Sequence, residues 1–267
     1  MLDILFFAAI LAVAGSLAGI IAGLLGVGGG IVIVPVLFYL LPFAEVPEEV
    51  RMHLAVATSL ATIISTSIVS ARSHYKRGGV DVGLLKRVAP GVVIGVIIGV
   101  LVGTAVSAKA LTAVFGCVAL LVAIHMAFFK GRQIAPALPG QPWITGIGIF
   151  IGSISTMMGI GGGSLSVPIF TLCGIPIRRA VGTAAAIGLV IAVPAVIGFA
   201  IGGWGEPGLP IGSVGYVNLI GFALIAPLSM AFAPLGAKLA HTIPQDWLGR
   251  IFALFLAVTS VKMLMSL

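Results

Sequence analysis

The sequence predicts an all-α polytopic membrane protein made of two inverted-topology repeats, each a glycine-broken re-entrant helical hairpin followed by three transmembrane helices. Three features lead there: an apolar composition, a self-similarity between the two halves, and two glycine clusters set in apolar stretches of unusual length. Of the 267 residues, 60% are hydrophobic and 8% charged, and mean hydropathy is +1.27, far outside soluble globular usage. Uncharged stretches run 4–44, 52–71, 88–108, 110–129, 133–177, 180–205 and 207–237. Each holds at least one apolar helix of about 20 residues, whereas a β-barrel would alternate apolar with polar. The first residues are expected to remain in the mature chain, because Asp3 stands where a signal peptide is basic and the apolar run continues past Leu40.

The halves align when the chain is slid against itself. At an offset of 133, Gly15, Gly19, Gly26, Gly28, Gly29, Gly30, Val34 and Pro35 meet Gly148, Gly152, Gly159, Gly161, Gly162, Gly163, Val167 and Pro168. At an offset of 125, Ala55-Val56-Ala57-Thr58 meets Ala180-Val181-Gly182-Thr183, and at 137, Gly99, Leu111, Phe115 and Met126 meet Gly236, Leu248, Phe252 and Met263. The matches keep one order throughout. They divide the chain into a first membrane repeat (1–130), a cytoplasmic linker (131–142) and a second, inverted repeat (143–267).

Each half opens with an apolar stretch of awkward length, Ile4 to Leu41 and Trp143 to Gly174. At about 1.5 Å per residue, the second is too long for one crossing of a roughly 30 Å core and too short for two with a turn. Breaks at Gly26 to Gly30 and at Gly159 to Gly163 resolve this by returning the chain as a short helix. Three ordinary spans then follow in each half, near 52–72, 84–106 and 110–129, and near 180–201, 213–237 and 247–266. Because three is odd, the second half starts on the opposite side of the membrane from the first.

Charge agrees with that count. The net charge is +7, and of the fourteen Lys and Arg all but Arg51, Lys109 and Lys262 fall in alternate inter-helix regions. Those regions mark the cytoplasm, so the loops at 42–51 and 202–213, with Glu45, Glu48, Glu49 and Glu206, face out and the amino terminus lies outside. A basic balance explained by topology leaves no role for nucleic acid. Trp143, Trp204 and Trp247 fall at expected span ends.

A broken helix frees backbone N–H groups at the start of the returning half-helix, and within hydrocarbon these need a partner. An anion suits them, because glycine permits close approach and a helix N-terminus is partly positive. Gly28, Gly29 and Gly30 with Gly161, Gly162 and Gly163 are therefore the candidate substrate-binding residues, while close packing of two hairpins is the alternative use of the same glycines. Thr58, Ser59 and Thr183 begin spans directly after each hairpin and are candidates to donate to the anion's remaining oxygens; Ser164 and Ser166 are weaker ones. His53 and Arg178 occupy matching positions and are candidates for coupling or gating, although His53 lies near an outer interface, where a solvated ring is expected. Gly91, Gly95, Gly99 and Gly103 form a ladder for helix packing that suits a homodimer as well as a monomer. Cys117 and Cys173 lack metal or redox spacing, and neither catalytic constellation, metal site nor cofactor motif is expected.

With these residues in view the chain resembles the sulfite exporter TauE/SafE family. The resemblance rests on Gly26-Val27-Gly28-Gly29-Gly30 with Val34-Pro35, Ala55-Val56-Ala57-Thr58-Ser59-Leu60, His74-Tyr75-Lys76-Arg77-Gly78-Gly79-Val80-Asp81, and Pro90-Gly91 through Gly99. Gly159 to Gly163, Val167-Pro168 and Val181-Gly182-Thr183 complete it, while Ala184-Ala185 departs from the Ser-Leu of the first half. It implies export of sulfite or C2 organosulfonates such as sulfoacetate across the bacterial cytoplasmic membrane. The residues themselves point only to a small anion and a lipid bilayer as partners. An importer or channel for sulfate or a carboxylate, or a non-transporting membrane subunit, fits the same residues.

Overall fold

The computed structural model describes residues 2–25, 28–128, 140–239 and 245–267, with side chains from residue 9 onward except those of 25, 237 and 245–252. Expectations for Gly26, Val27, Lys130, Arg132, the linker residues 131–139 and the side chains of Trp247, Leu248, Arg250 and Phe252 lie outside the described residues.

Ten α-helices are present among the described residues: α1 Leu2–Leu25, α2 Gly30–Leu40, α3 Glu48–Lys76, α4 Val82–Ala105, α5 Ala108–Phe128, α6 Trp143–Met158, α7 Gly163–Leu172, α8 Ile177–Gly202, α9 Leu219–Leu239 and α10 Gln245–Met265. Both long apolar stretches break at their glycines, giving the pairs α1/α2 and α6/α7. Five helices among the described residues, α3, α4, α5, α8 and α9, are long and apolar enough to cross a membrane.

Two boundaries differ from expectation. Helix α3 starts at Glu48 and runs 29 residues, roughly 43 Å at an α-helical rise, because Pro47 at its N-cap and Glu48 and Glu49 in its first turn suit a helix start. The span expected near 213–237 starts only at Leu219. Ser213–Val214 (β1) and Val217–Asn218 (β2) instead pair as an antiparallel hairpin, whose two-residue turn uses Gly215 at φ 54. Asn218 then caps α9, its Oδ1 accepting the Gly221 N–H at 2.7 Å.

The longest packed seams join α1 to α9 and α4 to α6, with α3 against α8 and α5 against α10. Glycines set the first two. A Cβ on Gly15 would lie 2.8 Å from the Ile225 carbonyl oxygen, and one on Gly148 would lie 2.7 Å from that of Val88. Gly19 likewise abuts the Ser229 backbone and Gly152 that of Val92; Gly99 abuts Ser153 and Gly236 abuts Ile20. The offsets of 133 and 137 convert each of these contacts into its counterpart. Small residues let backbones approach closely where apolar burial gives no drive to associate. The ladder Gly91, Gly95 and Gly99 is filled within the chain, by Thr145, Ile149 and Ser153 of α6.

Candidate functional site

The first turn reverses through Gly28 at φ 76 and Gly29 at φ 78, left-handed conformations that glycine adopts without penalty. The second ends α6 at Gly159, φ 65, where the Gly159 and Ile160 N–H groups donate to the Thr156 and Ser155 carbonyls at 3.2 and 3.0 Å, a Schellman-like closure. Neither α2 nor α7 has a side chain capping its start.

The two turns meet. A Cβ on Gly28 would lie 3.5 Å from the Gly161 Cα, and one on Gly30 would run into the Gly159 carbonyl oxygen. Helix α3 holds both. Ser59 Oγ donates to the Gly159 carbonyl at 2.7 Å, Thr66 Oγ1 donates to that of Gly28 at 3.1 Å, and Ile63 lies beside Gly28 and Gly30. Gly28, Gly29, Gly30 and residues 159–166 are all buried.

Packing accounts for several of the glycines. A side chain at Gly29 would strike the Ala18 carbonyl oxygen at 2.7 Å, and one at Gly159 would strike the Val56 Cα at 2.7 Å. The start of α7 is bounded differently, by side chains. Gly162 faces Ile187 and Ile191, and a Cβ on Gly188 would lie 2.7 Å from Ser67 Oγ and 3.9 Å from the Gly162 nitrogen.

Six buried hydroxyls make no hydrogen bond among the described residues: Ser67, Ser70, Ser155, Thr156, Ser164 and Ser166. An unpaired buried hydroxyl costs about 1–3 kcal/mol, so such a concentration is unusual for a folded protein. Ser164 lies in the first turn of α7, and Ser67 of α3 lies beside Gly188 of α8. Together with uncapped N–H groups these hydroxyls can donate to an oxyanion.

Ser59 therefore joins the glycine junction, whereas Thr58 and Thr183 bind loop backbone. Thr58 Oγ1 accepts the Asn218 N–H at 3.0 Å, and Thr183 Oγ1 accepts the Asp81 N–H at 2.9 Å. His53 is not solvated: it is 3% exposed, Nε2 lies 3.1 Å from the Val106 carbonyl oxygen, and its ring stacks on Tyr216 at 4.8 Å. The Gly215 turn places Tyr216 over it, a contact no local pattern reveals. Burial, with Glu206 adding, pushes the Tyr216 phenol up, so it stays neutral. Arg178 is exposed at the start of α8. Thr66, Ser67, Ser70 and Ser155 are not singled out by the sequence alone; for the first three, the helical spacing of hydroxyls from Ser59 to Ser70 is the available signal.

Long apolar helices, paired helix breaks and buried unpaired hydroxyls at their junction are features of a multi-pass membrane transporter. The chain belongs to the sulfite exporter TauE/SafE family, whose model matches residues 11–263. It is 37% identical over 251 residues to a probable membrane transporter protein of Haemophilus influenzae, covering 93% of this chain and 95% of that one. A probable membrane transporter protein of Methanocaldococcus jannaschii is 26% identical over 98% of this chain and 97% of its own. The probable membrane transporter protein YunE of Bacillus subtilis is 31% identical over 61% of this chain and 67% of its own. No solved structure matches the chain.

Proposed function

We propose that the protein is a secondary transporter that exports sulfite or a C2 organosulfonate, such as sulfoacetate, across the bacterial cytoplasmic membrane by alternating access. Residues 1–130 and 143–267 form inverted repeats, with both termini outside and residues 131–142 in the cytoplasm. The anionic head sits at the junction of the two turns, against the N–H groups of Gly28 to Gly30 and Gly161 to Gly163. The contact of Gly28 with Gly161 and of Gly30 with Gly159 is the observation that supports this most, since two half-helix starts then bring partial positive charge to one buried place. The reciprocal glycine contacts support the repeat, and the sulfur in the substrate comes from the family. Proton coupling falls to His53, the imidazole buried beneath Tyr216.

Purified protein in a thermal-shift or scintillation assay should bind sulfite, sulfoacetate or isethionate. Reconstituted vesicles should show counterflow of the same anion, with a pH gradient separating coupled export from passive flow. Absence of both binding and flux for every anion overturns the proposal.

A further inference from the structure

The segment between α8 and α9 carries the β1–β2 hairpin, and that hairpin is inserted tip first. At its base Ile211 is 90% exposed, whereas Gly215 and Tyr216 at its tip are buried, the reverse of a connection that runs over the surface. The tip wedges between α3 and α8. The Tyr216 ring stacks on His53 of α3 with centroids 4.8 Å apart and meets Phe199 of α8 edge-on at 6.5 Å, while its N–H donates to the Phe199 carbonyl at 3.3 Å. Glycines make the fit: a Cβ on Gly203 would lie 2.6 Å from Tyr216 Cγ, and one on Gly215 would run into the Ala200 carbonyl oxygen. The bond from the Asn218 N–H to Thr58 then ties the second strand one residue from Ser59, which holds the Gly159 carbonyl. The hairpin thus runs from an exposed base to the edge of the glycine junction.

The first half builds the same turn without the ring. At the offset of 137, Gly215-Tyr216-Val217-Asn218 falls on Gly78-Gly79-Val80-Asp81, and Gly78 turns at φ 68 as Gly215 does at φ 54. At the offset of 125, His53 falls on Arg178 and Ala57 on Gly182. The contacts follow the offsets: a Cβ on Gly79 would lie 3.5 Å from the Arg178 carbonyl oxygen, and one on Gly182 would run into the Gly79 carbonyl oxygen. Turn, tie to the threonine and helix cap therefore all form at 78–81 with glycine at the tip, so the framework itself does not require an aromatic side chain. Coverage differs accordingly, because Arg178 is exposed where His53 is 3% exposed.

We infer that Tyr216 is the gating residue of one mouth of the transporter: the hairpin is a plug, closed in this structure, and its withdrawal uncovers α3 from His53 toward Ser59. The inference rests on the transporter reading above and, for the side it faces, on the outward orientation of the 202–213 loop. The plug is held by one stacked ring and two backbone N–H bonds, the kind of small contact set from which moving lids are drawn. Its counterpart at Gly79 carries no ring, so the two mouths are gated unequally.

The test is thiol accessibility, which needs no substrate. In a background of Cys117→Ser and Cys173→Ser, Ala57→Cys sets a reporter one helical turn deeper than His53, at a wholly buried position, and a small impermeant thiol reagent is applied to intact cells. Glu206→Cys, exposed in the same loop, is the control for side; if it is unreactive, the orientation falls and the reagent is applied to inverted vesicles instead. Ala57→Cys should react slowly while Tyr216 is present and at least about tenfold faster in Tyr216→Ala, the opening expected from loss of a buried aromatic contact. Tyr216→Phe should keep the protection, because the ring makes the contacts. Thr183→Val, which loosens the opposite turn, should keep it too, which separates gating from general loss of stability. If Tyr216→Ala is not recovered as monodisperse protein, His53→Ala removes the seat of the ring and should accelerate labelling in its place. Fast reaction with Tyr216 present, equal rates in Tyr216→Ala and its parent, or equal acceleration by Thr183→Val overturns the gate. Absence of anion binding and flux with this labelling pattern intact would count against the substrate reading alone.

Discussion

Thr58 on α3 accepts the backbone N–H of Asn218 at 3.0 Å, across 160 residues of sequence. Thr183 on α8 accepts that of Asp81 at 2.9 Å. The receiving residues are equivalent too: Asn218 caps α9 through the Gly221 N–H, and Asp81 caps α4 through the Leu84 N–H at 2.9 Å. Thr58 and Thr183 are 125 apart and Asp81 and Asn218 are 137 apart, so each half's third helix fastens the start of the other half's fourth.

Replacing either threonine with valine keeps the shape and strands a loop N–H. Thr58→Val and Thr183→Val should each cost about 1–2 kcal/mol, with Thr→Ser retaining most of the stability. Thermal unfolding in detergent measures this, and losses confined to one of the two threonines would show that the ties are not equivalent.

Along α3, hydroxyls with partners and those without should behave in opposite ways. Ser59→Ala removes the bond to the Gly159 carbonyl and should destabilise by about 1 kcal/mol. Ser67→Ala removes a hydroxyl that has no partner among the described residues and should leave the melting temperature unchanged or raise it. Equal destabilisation by both would mean that the row is structural throughout.

The glycine turns should differ in tolerance. Gly29→Val places a branched side chain at φ 78 and against the Ala18 carbonyl, so it should fail to fold and cannot report on binding. Gly162→Ala meets side chains and no backbone, Ile187 Cγ2 at 2.6 Å and Ile191 Cδ1 at 3.2 Å, and Gly162 has φ −54. That variant should fold and report on the ligand. Yield of monodisperse protein separates the two cases.

On the helix seams, Gly95→Leu would drive a side chain into the Ile149 backbone and Gly15→Leu into that of Ile225. Each should cost at least about 3 kcal/mol, the upper range for overpacking. Size-exclusion profiles after mild heating should show both variants aggregating where the parent remains intact.

Orientation is testable with single cysteines in a background of Cys117→Ser and Cys173→Ser. Glu206→Cys should react with an impermeant maleimide on intact cells, and Lys76→Cys only after permeabilisation. Labelling of both from one side would overturn the inverted topology.

Class, helix number and the position of the breaks were all readable in the chain, because apolar runs and glycine clusters act locally: a run of about 20 apolar residues demands a span, and glycine alone relaxes into φ near +76 and +78 at residues 28 and 29. Even the glycine contacts at Gly15 and Gly148 followed the repeat offset. What the order of residues left open was which groups meet across the bundle. Thr58 and Thr183 begin spans beside the hairpins, yet each hydroxyl oxygen accepts an N–H from a segment more than a hundred residues away. His53 looks solvated until the Gly215 turn lays Tyr216 over it. Ser67 attracts no notice until Gly188 is seen beside it. The physical reason is that backbone geometry and hydropathy are properties of short segments, whereas the partner of a hydroxyl or an imidazole is fixed only when distant helices close around it.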